Sequence, residues 1–109
     1  MKKIIIIGSL IVSLLACSGP SEITKVSLAL DWYPNSNHAG IYLAQDKGYF
    51  ENNNLEVDIY TPSDPSAILQ SVGSGSDQFG ISYQPDLLLA RSEGVPVVAV
   101  TSIVKTPLN

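Results

Sequence analysis

The chain has 109 residues, 45% hydrophobic and 15% charged, with a formal net charge of −4. After residue 16 only four cations remain (Lys25, Lys47, Arg91 and Lys105) against ten acidic residues, which leaves −6 and argues against nucleic acid as a partner, since phosphate contacts need clustered cations. One Cys and one His exclude an internal disulfide and the common zinc sites.

Lys2-Lys3 is a basic start, and Ile4 to Ala16 is an apolar run too short to span a bilayer comfortably. It ends Leu14-Leu15-Ala16-Cys17, which resembles a bacterial lipobox. Residues 1–16 therefore read as a lipoprotein signal peptide. Cys17 reads as the lipidated residue whose acyl chains hold the protein in the membrane of the cell envelope, facing the periplasm or exterior. An ordinary signal peptide or anchor helix with an incidental Cys is the plainer alternative. Residues 17–24, including the polar run from Ser18, are expected to form a tether, and 25–109 one small domain.

Val26, Leu28 and Leu30 alternate with Ser27 and Ala29, predicting a strand over about 25–30. Asp31 to Asn37 is a strand-to-helix loop rich in aromatic and hydrogen-bonding groups. A helix is expected from Ala39, with Lys47-Gly48 at its end. Glu51 to Asn54 reads as a turn in which an Asn takes the left-handed conformation. Leu55, Val57 and Ile59 mark a second strand with one polar face. Asp64-Pro65 starts a second helix, closed at Gly73. The Gly73 to Asp77 stretch follows a helix and precedes a strand, so it is a turn and not a phosphate loop. Gln78 to Ser82 is a short third strand. Tyr83 to Asp86 opens a third helix that reaches Gly94, and Val95 to Val104 has the composition of a strand buried on both faces.

The order β-α-β-α-β-α-β predicts an α/β fold with a parallel sheet and right-handed crossovers. Its strand-to-helix loops open on one edge, where ligands bind in such sheets. They carry Asp31 to Asn37, Thr61 to Asp64 and Ser82 to Gln84, and the loop after the fourth strand adds Thr106. Stability alone does not require Trp32 and Tyr83 on that edge. Aromatic slabs beside neutral hydrogen-bonders suit a flat, weakly charged polar ring.

Three segments, D-W-Y-P-N-S-N-H-A-G-I-Y-L-A-Q-D-K-G-Y-F, G-S-G-S-D-Q-F-G-I-S-Y-Q-P-D-L-L-L-A-R and G-V-P-V-V-A-V, resemble substrate-binding lipoproteins of ABC transporters for the pyrimidine precursor of thiamine. The resemblance runs from about Lys25 to Asn109. It implies a two-lobed, hinge-closing receptor that takes a formylaminopyrimidine or hydroxymethylpyrimidine and passes it to an ABC permease. It also implies that Trp32 stacks on the ring, that Asn35 and His38 shape or hydrogen-bond the cleft, and that Ser82, Tyr83 and Gln84 join from the third loop. The chain corresponds to the first part of lobe one, with the second lobe absent. A half-cleft should bind weakly, and marginal stability is expected. A monomer is expected, without cofactor or metal.

Duller roles stand beside these. His38 can serve only the loop backbone, and Trp32 can be a half-buried packing aromatic. Asp31 either binds an exocyclic amine or caps its loop. Asp77 reads as a turn or cap residue, Tyr42 and Tyr49 as packing. A second function is enzymatic. The same superfamily resembles a fungal enzyme that builds the thiamine pyrimidine from pyridoxal phosphate and one of its own histidines, for which His38 is the candidate here. That chemistry needs a cytosolic chain, a Lys for the aldehyde and a Cys-rich iron site. A third reading is a small acidic interaction lipoprotein without a ligand. No nucleophile–His–acid set or pair of catalytic carboxylates is apparent in the sequence.

Overall fold

The structure is a computed structural model that describes residues 22–105. The apolar leader, Cys17, most of the 17–24 tether and Thr106 lie outside the described residues. Thr24, assigned to the tether from sequence, is the first residue of β1 (Thr24–Ala29).

The described elements follow in the expected order: β1, α1 (Ala39–Asp46), β2 (Leu55–Tyr60), α2 (Ile68–Ser74), β3 (Phe79–Gly80) and α3 (Gln84–Ser92). The sheet is parallel, ordered β2-β1-β3. Lys25 lies opposite Glu56, Ser27 opposite Asp58, and Ala29 opposite both Tyr60 and Gly80. These residues share one face of the pleat, and Val26, Leu28, Val57, Ile59 and Phe79 share the other. The chain leaves β1 toward β2, then returns past β1 to β3. Right-handed crossovers therefore put α1 and α2 on opposite faces.

The face carrying Gly80 receives α2. A Cβ on Gly80 would sit 2.4 Å from Ile68 Cγ2, so only a residue without a side chain lets α2 come this close. Beneath α2 lies a buried polar lock. The Asp77 carboxylate, 6% exposed, accepts hydrogen bonds from the Tyr60 hydroxyl at 2.7 Å and from the Ser71 hydroxyl. Asp77 thus does more than end a turn: it ties α2 to the sheet. The other half of the same face is uncovered, and there Lys25 and Glu56 form an exposed pair at 3.4 Å that adds little stability.

Helix boundaries follow local chemistry. Asp64 Oδ1 accepts from the Ser66 N–H at 3.0 Å and caps a 3-10 turn, Pro65–Ala67, that leads into α2. Asn54, after the Glu51–Asn53 turn, takes φ 56° and is the Asn of this stretch that adopts the left-handed conformation. The second helix does not stop at Gly73. It continues to Ser74 and closes at Gly75, φ +81°. Gly73 serves contact instead: a Cβ there would meet Val95 Cγ1 at 2.5 Å.

Two strand expectations need correction. The third strand spans only Phe79–Gly80, not 78–82. At its start Gln78 interrupts the ladder, because its side-chain oxygen takes the Ser27 N–H at 2.9 Å, a donor the ladder would otherwise use; at its end the Ile81 N–H still bonds to the Ala29 carbonyl at 2.8 Å. The Val95 to Val104 run forms no strand among the described residues. Val97 N–H bonds back to the Val95 carbonyl at 2.9 Å around Pro96, which has no N–H to give. Arg91 then takes the Val97 carbonyl at 3.2 Å. Val95 and Val97 instead enter a small core with Ala90, flanked by Leu69, Val72 and Leu87. Val98 and Val100 remain exposed.

Candidate functional site

The carboxyl ends of all three strands lie side by side at Ala29, Tyr60 and Gly80, so the loops that follow open on one edge. The 31–38 loop is the most ordered of them by hydrogen bonding. Asn35 is extended and caps the 3-10 turn Ser36–His38; its Oδ1 accepts the Asn37 N–H at 2.9 Å. Its Nδ2 donates to the Tyr33 carbonyl at 3.0 Å. Both ends of the Asn35 amide are thus engaged in shaping the loop.

That turn folds His38 back beneath the loop. The imidazole is 1% exposed, and its Nε2 lies 2.8 Å from Asp31 Oδ1. Its Nδ1 is buried without a protein partner. Burial pushes the Asp31 carboxyl up, but contacts from the Tyr83 hydroxyl and His38 outweigh it and hold the carboxyl below the usual range. In return, interaction with the Asp31 carboxylate pushes the Tyr83 hydroxyl up. Asp31 is therefore ionised at neutral pH.

The aromatic groups point outward. Trp32 is 62% exposed and meets the Tyr33 ring edge-to-face, centroids 6.1 Å apart at 85°. Tyr83, just before α3, is 55% exposed. Ser82 and Gln84 flank it and are exposed. The structure thus joins Asp31 and His38 at 2.8 Å and sets Trp32 beside them in the chain, with Tyr83 on the neighbouring loop. Asn35 serves the loop itself, and Ser82 and Gln84 are present on the edge without a described tie to the first loop. The edge is open. Two surface depressions lie elsewhere, one around Lys25, Ser27, Glu56, Asp58 and Gln78, the other around Gln70, Gly73 and Pro96. Among the described residues, no group of three His, Cys, Asp or Glu is placed to hold a metal, and no helix is long and apolar enough to cross a membrane.

Sequence reasoning did not single out Tyr60 or the Ser71–Asp77 contact, although they anchor the elements that carry the edge. An acidic residue just before a strand that faces α2, with a Tyr at the end of β2, was the available signal. Hydrogen bonding from Ser71 leads the causes that hold the Asp77 carboxyl below its ordinary value. A depressed carboxylate contributes stability above its unfolded value, near pH ~4, and loses it as pH falls through the lower folded value. The native chain should therefore lose stability on acidification across that window. Asp77→Asn should be less stable at neutral pH and show a shallower acid limb in urea melts taken between neutrality and acid pH. An equally steep limb in the variant would remove Asp77 from this role.

The chain matches the NMT1/THI5-like family over residues 35–109. It is 45% identical over 92 residues to a formylaminopyrimidine-binding protein of Halalkalibacterium halodurans, covering 84% of this chain and 28% of that protein. A Haemophilus influenzae protein named for thiamine biosynthesis is 41% identical over the full 109 residues, which are 35% of its own length. A 4-amino-5-hydroxymethyl-2-methylpyrimidine phosphate synthase of Saccharomyces cerevisiae is 36% identical over 85 residues, 78% of this chain and 25% of that enzyme. The chain thus spans about a quarter to a third of the length of the curated relatives it matches.

Proposed function

The chain belongs to the NMT1/THI5-like family, and from that membership we propose that it binds a pyrimidine precursor of thiamine, of the formylaminopyrimidine or hydroxymethylpyrimidine type, at the carboxyl edge of its sheet. In this reading it is the substrate-binding part of an ABC importer. It is anchored to the cell-envelope membrane through acyl chains on Cys17 and delivers its ligand to a permease for thiamine salvage. A relation to thiamine pyrimidines is common to its relatives on both the binding and the synthase side. The observation that carries the binding reading is the pair of outward aromatics, Trp32 and Tyr83, on adjacent loops of that edge. An aminopyrimidine is a flat, weakly charged ring, and a half-exposed indole offers it a stacking face.

The synthase reading draws on the fungal relatives. It asks His38 to give up its ring as a reactant. With the imidazole 1% exposed and engaged on Asp31, a substrate has no path to it without opening the loop. Lys25 stands near the opposite end of β1, away from the edge that holds His38. The binding role fits these positions better.

Trp32 is the single Trp of the chain, so its fluorescence reports this edge alone. In the free protein its emission should be close to that of a water-exposed indole. Formylaminopyrimidine should quench it saturably and move it to shorter wavelength, with aminomethyl-pyrimidine and unrelated purines as comparison ligands. Emission that no pyrimidine alters at millimolar concentration would contradict the proposal. Loss of the His38 ring, seen by mass spectrometry after incubation with pyridoxal phosphate, iron(II) and oxygen, would favour the synthase instead.

A further inference from the structure

Val98 to Val104 is an apolar stretch that the fold leaves unused. It follows Val97, whose carbonyl Arg91 holds at 3.2 Å, and it contains no charged residue, no Pro and no Gly. Val98 and Val100 are 74% and 71% exposed, and Ile103 and Val104 are exposed beside them. No backbone N–H of the stretch bonds to another described residue. Its one internal hydrogen bond runs from the Ser102 hydroxyl to the Val104 carbonyl at 2.8 Å, across a bend at Ile103. β-Branched apolar side chains beside unpaired backbone groups make an edge ready to take a strand.

The stretch is complementary to itself. Two copies laid antiparallel with Thr101 facing Thr101 pair over the whole length from Val97 to Lys105. Val98 then lies opposite Val104 of the second copy, and the small Ala99 opposite the large Ile103, each pair occurring twice about a twofold axis. Lys105 comes opposite Val97 of the second copy. There Glu93, just past the end of α3, lines one shallow depression with Val95 and Pro96, and Arg91 is already engaged on the Val97 carbonyl. A carboxylate and the carbonyl end of a helix both attract that lysine. After residue 16 the chain carries −6, so two copies repel over most of their surface and approach best along an uncharged stretch.

We propose that the chain forms a twofold dimer in which residues 97–105 of each copy pair antiparallel with the same residues of the other, in place of the monomer expected from its sequence. Pairing opens the bend at Ile103 and gives up the Ser102 contact. In return it satisfies the free backbone groups and sets Val98, Val100 and Val104 of both copies on one face of a two-stranded ribbon. A ribbon of two strands is marginal alone, so the dimer is weak and is best read by trapping it. Neither its geometry nor its test depends on the binding role proposed above.

Thr101→Cys in the full chain, oxidised and followed on non-reducing gels, supplies the trap. Directly opposed residues of an antiparallel pair lie about 4.5–5.5 Å apart at Cα, within disulfide reach. The parent chain, with Cys17 as its single thiol, gives the background. Gln45→Cys, on α1, gives the rate of random collision; Gln45 and Thr101 are both exposed, so neither change puts folding at risk. Thr101→Cys should give a band of twice the chain mass about tenfold faster than Gln45→Cys. Adding Glu93→Lys or Lys105→Glu should slow it about two- to fivefold, and the two reversals together should restore it. Equal rates for Thr101→Cys and Gln45→Cys would overturn the dimer. A double reversal no faster than the single ones would overturn the pairing as drawn. Crosslinking of the Thr101→Cys chain to a protein of different mass would overturn the second copy as the occupant.

Discussion

Replacing Trp32 with alanine is expected to weaken pyrimidine binding by about 10- to 100-fold while changing folding stability by no more than about 0.5 kcal/mol. The affinity figure is the usual worth of one base-on-indole stack, about 1–3 kcal/mol. The stability figure follows from position. Trp32 is 62% exposed, its one described ring contact is the edge of the neighbouring Tyr33, and removing it opens no cavity. The separation of the two effects is what distinguishes a ligand platform from a packing aromatic. Calorimetric titration with formylaminopyrimidine and a thermal melt of the same sample read both. A variant that binds as the parent does would remove Trp32 from the site. One that melts far lower would return it to the packing role.

Leu30→Ala is expected to do the reverse, costing about 2–5 kcal/mol of stability and taking binding with it. Leu30 is 0% exposed, and its N–H continues the β1–β2 ladder by bonding to the Tyr60 carbonyl at 2.8 Å. It is also the residue that leads into the edge, immediately before Asp31 and Trp32. Among the described residues Leu30 and His38 are the largest side chains below 2% exposure. A chain with so small a core has stability near the low end of about 5–15 kcal/mol. A loss of that size should leave much of the variant unfolded at 37 °C. Urea denaturation followed by circular dichroism measures it, and an unchanged midpoint would mean that the 31–38 loop is not seated on this leucine.

The features legible in the sequence were those fixed by neighbours along the chain. Alternation at Val26, Leu28 and Leu30 and at Leu55, Val57 and Ile59 marked β1 and β2 to within a residue. Asp64-Pro65 marked the approach to α2, and Asn54 and Gly48 marked left-handed turns. The parallel α/β character followed from that order of elements. What escaped depended on contacts between distant segments. Gly73 looked like a helix stop, but it is set by the passage of Val95. Val95 to Val104 had strand composition, yet Pro96 and the grip of Arg91 on Val97 hold its start out of a ladder. Gln78 shortened β3 through a side chain that reaches across to Ser27.

The candidate site divided in the same way. The order of elements put Trp32 and Tyr83 on one edge, and both are exposed there. The burial of His38 was not legible, because it depends on a 3-10 turn that brings the ring back onto Asp31 seven residues earlier. The resemblance gave Asn35 a part in shaping or hydrogen-bonding the cleft, and its amide is hydrogen-bonded at both ends within the loop. Asp31 was open between a cap and an amine-binding group, and its partners now favour a structural tie.

The central claim is that a thiamine pyrimidine binds at the carboxyl edge of this sheet. Amide NMR of the ¹⁵N-labelled chain, titrated with formylaminopyrimidine, tests it most directly. Shifts should concentrate at residues 31–38, 61–64 and 82–84, with the indole N–H of Trp32 among the largest. Shifts gathered instead around Lys25, Glu56 and Asp58, or no shifts at all, would contradict it.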